Sequence, residues 1–363
     1  MKNISSRHNL GIFTTFIFLL LCSGCGHTNE PASKTEPTTN TETSSFTEPV
    51  TNTEPTTKTE TSSNTEPVTN TEPTTKTETS SITEPVTNTA PTIDAENKAI
   101  EAIRAFVRNV DLDDTGRVIR VDFSFTDISD EGLVHLKGLT SLTTLNLEDT
   151  KVSDAGLVYL KGLTSLSTLN LKNTNVSNAG LVHLKGLTNL TALNLEDTKV
   201  SDAGLVNLKG LTNLARLNLE GTKVNDAGLV LLKELTNLTA LDLSHTKISN
   251  AGLVNLEELT NLTTLGLGNT NANDAGLVHL KKLTNLTTLY LSGTNFSDAG
   301  LVYLKGMTKL TTLHLIFTNV SDAGLEHLKG LARLTYLDLH GTKVTKAGVM
   351  NLKAAIPDCE ITH

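Results

Sequence analysis

A 24-residue sentence, LTSLTTLNLEDTKVSDAGLVYLKG, occupies residues 139–162 and begins again at Leu163, Leu187, Leu211, Leu235, Leu259, Leu283, Met307 and Leu331. A shorter, degenerate copy, RVIRVDFSFTDISDEGLVHLKG, runs from 117 to 138. Self-similarity at a fixed period of this size restricts the chain to a stacked array, because one unit is too short to cover its own apolar faces.

Within one copy, Leu145 and Leu147 are two apart. That is strand spacing, with both leucines on one face and Thr144, Asn146 and Glu148 on the other. Leu157 and Leu160 are three apart and follow Ser153-Asp154, a helix N-cap signal, so the second half of the unit reads as a short helix. Gly156 leaves no side chain in the first helical turn, and the expectation is that the helix lies close to the strand behind it. Stacked copies then place strands on one side and helices on the other.

The pattern LxxLxLxxTxV followed by xDAGLxxLKG resembles the leucine-rich repeats, in a short bacterial version close to the ribonuclease-inhibitor and cysteine-containing subtypes. The resemblance covers 118 to the C-terminus, with ten copies in phase. It implies an α/β solenoid: a curved right-handed array, parallel strands on the concave face and short helices on the convex face. One position departs from the family, which usually carries Asn where this chain has Thr126, Thr150, Thr174 and their equivalents to Thr342. An Asn amide can bond the turns on both sides, whereas a Thr hydroxyl has one proton to donate, so a thinner internal ladder is expected.

Ahead of the array, Lys2 and Arg7 precede a largely apolar run over 10–21, too short for a comfortable membrane span. The small residues before Cys25 resemble the lipobox of bacterial lipoproteins, which implies cleavage there and lipidation of Cys25. Cys22 stands where that motif prefers Leu, and an ordinary secretory signal or an uncleaved anchor is the alternative. From Asn29 to Pro91 a Glu recurs every six residues among Thr, Ser and Pro, with almost nothing able to form a core. This reads as a disordered stalk spanning roughly 45 Å as a coil. The expected organisation is a signal segment over 1–25, the stalk over 26–92, a helical cap over 93–117, about ten repeats over 118–354 and a closing cap over 355–363.

The stalk also explains the acidity. Its ten Glu against three Lys hold −7 of the net −9, so the repeats are close to balanced and offer no basic stripe for phosphates. Nucleic acid is not an expected partner. With Cys22 and Cys25 assigned to the signal, Cys359 stands alone and reads as a buried closing residue.

A helix is expected over 94–109, with Ile100, Ile103, Phe106, Val107 and Val110 on one face as a lid for the first repeat. After it, Asp111, Asp113, Thr115, Gly116 and Asp122 copy the offsets of a calcium loop. The twelfth ligand is Asp in place of Glu, and 118–123 is claimed by a strand. An Asp-rich reversal ending in Thr-Gly is the favoured reading. His135, His183, His279 and His327 recur on the helical half two or more repeats apart, too far to share an ion.

The outward positions of the strands carry the individuality of the chain. The middle one reads Asp122, Asn146, Asn170, Asn194, Asn218, Asp242, Gly266, Tyr290, His314 and Asp338. The first half is therefore expected to be a polar surface, Gly266 and Gly268 a bare step, and the last strands a gathering of Tyr290, His314, Ile316, Phe317, Tyr336, Asp338 and His340. Aromatics and an Ile on otherwise Thr-rich strands are what a binding hot spot looks like. The competing explanations are drift in terminal repeats and a weak metal site from His314, Asp338 and His340.

No catalytic constellation is expected: carboxylates, Thr and Lys recur identically in every turn, whereas catalysis needs a unique convergence. No cofactor or resident metal is expected either. The reading is a non-catalytic scaffold, exported to the bacterial cell envelope and lipid-anchored in its membrane. It would bind a protein or an envelope polymer through the concave sheet, with a purely structural spacer as the alternative.

Overall fold

The computed structural model describes residues 93–363. The signal segment, the lipidation residue Cys25 and the stalk expected over 1–92 lie outside the described residues.

Twelve strands form one sheet in chain order among the described residues. They are β1 (Asn109–Leu112), β2 (Val118–Asp122), β3 (Thr144–Asn146), β4 (Thr168–Asn170), β5 (Ala192–Asn194) and β6 (Arg216–Asn218). There follow β7 (Ala240–Asp242), β8 (Thr264–Gly266), β9 (Thr288–Tyr290), β10 (Thr312–His314), β11 (Tyr336–Asp338) and β12 (Glu360–Thr362). From β2 onward neighbours run parallel, and between repeats the register advances by one period, Leu145 beside Leu169 and Leu217 beside Leu241. The strands are short because each period must also carry the chain back to its starting edge. Leu145 and Leu147 are fully buried, as are their equivalents in every later repeat. Each contributes about 2 kcal/mol of apolar transfer free energy only because the next unit covers it.

The return path differs from a simple helix. The first three repeats use 3-10 turns, Asp130–Leu136, Gly156–Leu160 and Gly180–Leu184, while later ones begin with short α-helical turns such as Asp226–Leu232 and Asp298–Leu301. Side-chain N-capping is partial: Ser249, Ser297 and Ser321 accept from the N–H two residues on, and Ser129 and Ser201 do not.

What fixes this face is a latch between repeats. Asp154 Oδ1 accepts from Ser177 N at 2.7 Å and Oδ2 from Ser177 Oγ at 2.5 Å. The same pair joins Asp226 to Ser249, Asp274 to Ser297, Asp298 to Ser321 and Asp322 to Thr345. Where Asn178 replaces Asp, its amide still accepts from Ser201 N and donates to Ser201 Oγ. The glycine expected to sit against its own strand instead faces this latch. A Cβ on Gly180 would lie 2.5 Å from Asp154 Oδ1 and 2.9 Å from Leu157 Cδ1, atoms of the preceding repeat.

The threonines that replace the family asparagine form no ladder at all. Thr150 Oγ1 donates to the Leu147 carbonyl at 2.7 Å within its own turn, and the bond recurs from Thr126 to Thr342. Hydroxyl-to-backbone bonds between repeats come instead from the entry of most strands, as in Thr191 Oγ1 to the Ser167 carbonyl at 3.1 Å.

The N-terminal end departs from the expected helix. The N-terminal helix spans Ile93–Ile103, short of 109, and 109–112 is a strand antiparallel to β2. A helix there would have left the outer edge of β2 without partners; the hairpin supplies them. Ile103 enters the core, Phe106 is exposed, and buried Glu96 accepts from Val118 N at 2.6 Å. The 111–122 segment is this hairpin. Asp113 accepts from Thr115 N, Thr115 Oγ1 and Arg117 N, Gly116 has φ +83°, and Asp111 pairs with Arg120 at 3.5 Å. At the other end, helix Lys346–Ala355 leads through Pro357 into β12, so the closing segment adds one more parallel strand. Cys359 is buried beneath it, and burial pushes its thiol up to about 11.

Candidate strand-face binding site

The strand face is built from columns that run across the sheet. The middle outward column is not the open polar surface that was expected. Asn146, Asn170, Asn194 and Asn218 turn their carbonyl oxygens onto the N–H two residues ahead, at 2.9–3.1 Å. Asp122, Asp242 and Asp338 do the same for Ser124, Ser244 and His340. Most of the column is buried, Asn218 entirely. These side chains stabilise the exit of each strand into a tight turn.

In that turn the residue before the Thr adopts a left-handed conformation in all ten repeats, with φ between +50° and +67°. Eight of the ten are Asp, Asn, His or Gly, the types that tolerate it. Phe125 and Phe317 are the exceptions, and they are also exposed, at 62 % and 73 %. The Arg108 guanidinium lies 5.8 Å from the centroid of the Phe125 ring. Phe317 leans over Gly341, where a Cβ would come 2.3 Å from its ring. A bulky residue held in this region costs on the order of 1 kcal/mol, and such strain collects at functional sites. Phe317→Asn is therefore expected to raise stability by about 1 kcal/mol in thermal melts, at the expense of any binding the ring supports.

Beside Phe317 the last strands form a run of rings. Tyr290 on β9 stacks on His314 of β10 with centroids 4.7 Å apart and planes 15° from parallel, and His314 meets Tyr336 of β11 at 5.3 Å and 48°. Burial lowers the imidazole pKa of His314, which favours its neutral form. Asp338 is only 7 % exposed and supports the patch from behind. It accepts from His340 Nδ1 at 2.7 Å and from the Tyr336 hydroxyl at 3.4 Å. Burial works to raise its carboxyl, but hydrogen bonds from His340 and Thr362, with the His340 charge, together leave it lowered. Ile316 is half-buried and His340 exposed. Of the seven expected residues, six reach the surface, and Asp338 positions its neighbours. No three His, Cys, Asp or Glu side chains among the described residues are arranged to hold a metal ion.

The following outward column carries a charge network that composition and periodicity had presented only as polar surface. Lys172 Nζ lies 2.7 Å from Glu196 and 3.9 Å from Glu148, and Asn218 donates to Glu196 at 3.0 Å. Glu220, one repeat on, faces Asp242, Glu196 and Asp197, with His245 3.9 Å away. Burial, then Asp242 and Glu196, push its carboxyl up to about 8. Asp242 leans over the adjacent strand, where a Cβ on Gly266 would come 2.2 Å from Oδ1, so the bare step is filled by this side chain. The sequence signal for the network was present: Glu, Lys, Glu and Glu fall in one column at Glu148, Lys172, Glu196 and Glu220. Phe125 was equally legible, sharing with Phe317 a position where the other eight repeats have Asp, Asn, His or Gly.

A family description of the leucine-rich repeat region matches residues 112–356. The chain belongs to the leucine-rich-repeat family. Domains of this family are typically protein-binding scaffolds and generally not enzymes. Among solved structures, an internalin C2 from Listeria monocytogenes is 26 % identical over 63 % of this chain and 81 % of that one, with a TM-score of 0.45. An internalin from the same organism is 20 % identical over 77 % of this chain and 98 % of that one, at 0.43. The ectodomain of the Arabidopsis receptor kinase HAESA, solved in complex with a peptide hormone ligand, reaches 0.54 at 17 % identity, over 69 % of this chain and 46 % of that one. That likeness is one of fold. No curated protein matches the chain. No helix among the described residues of this leucine-rich-repeat chain is long and apolar enough to cross a membrane.

Proposed function

We propose that this chain is a non-catalytic binding scaffold of a bacterial cell envelope, exported and held at a membrane by a lipid on Cys25. It takes a protein or an envelope polymer on the strand face of its last repeats. The observation that supports this reading most is the run Tyr290–His314–Tyr336, with Ile316 and Phe317 at its edge, on strands whose neighbours present mainly Thr, Ala and Asn. Ring-lined, partly desolvated patches of this kind carry most of the energy of protein interfaces.

The test uses the full chain as bait against its own cell envelope. Replacing Tyr290, Ile316 and Tyr336 together by Ala is expected to lower capture by about a hundredfold, since two or three anchor side chains contribute about 3 kcal/mol. The melting profile should remain cooperative, because these side chains project from the sheet and the buried leucines are untouched. Unchanged capture by the triple variant would contradict the patch. Indifference to every strand-face substitution is the result expected of a structural spacer.

A further inference from the structure

The column that contains Glu196 and Glu220 continues through Ser244, Gly268 and Ser292 to Ile316, four repeats beyond Glu220. Between the acidic end and the apolar end no side chain in this column is larger than Ser. At its centre, the space a Cβ of Gly268 would enter is bounded by Ser292 O at 3.2 Å and Ser244 Oγ at 3.6 Å. One end of this shallow trough is Glu220, with Glu196 and Asp242 buried behind it; the other ends on Ile316 and Phe317.

We propose that the trough holds a polypeptide segment laid across the strands, with a Lys or Arg at the Glu196–Glu220–Asp242 end and an apolar side chain on Ile316 and Phe317. This rests on the strand-face reading above and specifies its ligand. Four strand spacings make about 19 Å, which an extended chain covers in about six residues, so the two anchors stand about six positions apart. A polysaccharide fits less well. Sugars pack on the faces of aromatic rings, whereas Tyr290 and His314 each turn one face on the other.

The charges around the acidic end favour a cation. Glu220 is surrounded by Glu196, Asp197 and Asp242, and the cations facing it are Lys172, already bound to Glu196, and His245. Burial and the surrounding carboxylates favour the protonated form of its carboxyl near neutrality. An arriving ammonium or guanidinium stabilises the ionised form and releases that proton, so affinity climbs as pH rises toward about 8.

The experiment pans a phage-displayed library of random 12-residue peptides on the full chain at pH 8, then measures Kd for the recovered peptides. The expected peptides carry Lys or Arg five to seven positions from Phe, Leu, Ile, Tyr or Trp. Glu220→Gln, which preserves shape, and Gly268→Leu, which fills the trough between the ends, should each weaken binding by about tenfold; thermal melts of both variants check folding. Recovered peptides without an excess of basic residues, or unaffected by Glu220→Gln, overturn the proposal. If their capture still fails in the Tyr290, Ile316 and Tyr336 triple variant, the strand-face reading survives it. Peptides that ignore all of these substitutions overturn both. Capture of purified cell-wall polysaccharide but no peptide overturns the polypeptide and leaves the strand face as the site.

Discussion

Leu241→Asp is expected to abolish the cooperative melt of the array, and Leu241→Ala to cost about 2–5 kcal/mol. Leu241 is 1 % exposed and lies between Leu217 and Leu265 on the adjoining strands. A carboxylate there would have no partner and no route to water, a penalty of about 4 kcal/mol or more. Because neighbouring units share one interior, the damage should spread to the repeats on both sides. Thermal melts followed by circular dichroism provide the comparison, with Thr236→Asp, at an exposed turn, as the variant expected to change nothing.

Gly252→Val should be nearly as damaging although it adds only apolar atoms. A Cβ at this position falls 2.3 Å from Asp226 Oδ1 and 3.2 Å from its Cα. Asp226 cannot simply swing away, because its two oxygens hold Ser249 N at 2.7 Å and Ser249 Oγ at 2.5 Å. Either the repeats separate or the latch breaks and leaves its donors unmet, at about 3 kcal/mol or more. Gly210 stands in the loop of an equivalent unit with nothing within 4 Å of a built Cβ. Gly210→Ala should be neutral or gain about 0.5 kcal/mol from the unfolded chain. A Gly252 variant as mild as the Gly210 one would show that the latch does not set the spacing.

What the sequence made legible was whatever repeats within one unit. The alternation of Leu145 and Leu147 is a local pattern, and it located the strands, the buried face and the stacking. What it hid was bonding between equivalent positions 23 or 24 residues apart. Ser153-Asp154 looks like an N-cap signal because that is the local use of such a pair, yet the Asp154 carboxylate is taken by Ser177. The Asn column looked solvent-facing because strand alternation puts it opposite the leucines; the left-handed turn that follows draws it back onto the backbone. Likewise 94–109 has helical spacing throughout, yet the helix stops at Ile103, and only the bare edge of β2 explains why the chain enters a strand at Asn109. At the candidate site the aromatic residues were readable as departures from the consensus. The stacking of Tyr290 on His314 and the burial of Asp338 depend on neighbours across the sheet.

The most direct test of the stacked-unit account is the deletion of one complete period, residues 211–234, set beside a deletion of only 211–222. Removing the whole unit takes out one strand and one return path and lets Leu235 follow Gly210, as Leu211 now does. The account predicts a single cooperative melt with a slightly lower midpoint for the full deletion, and loss of the folded far-ultraviolet signal for the half deletion. Equal damage from both would contradict it.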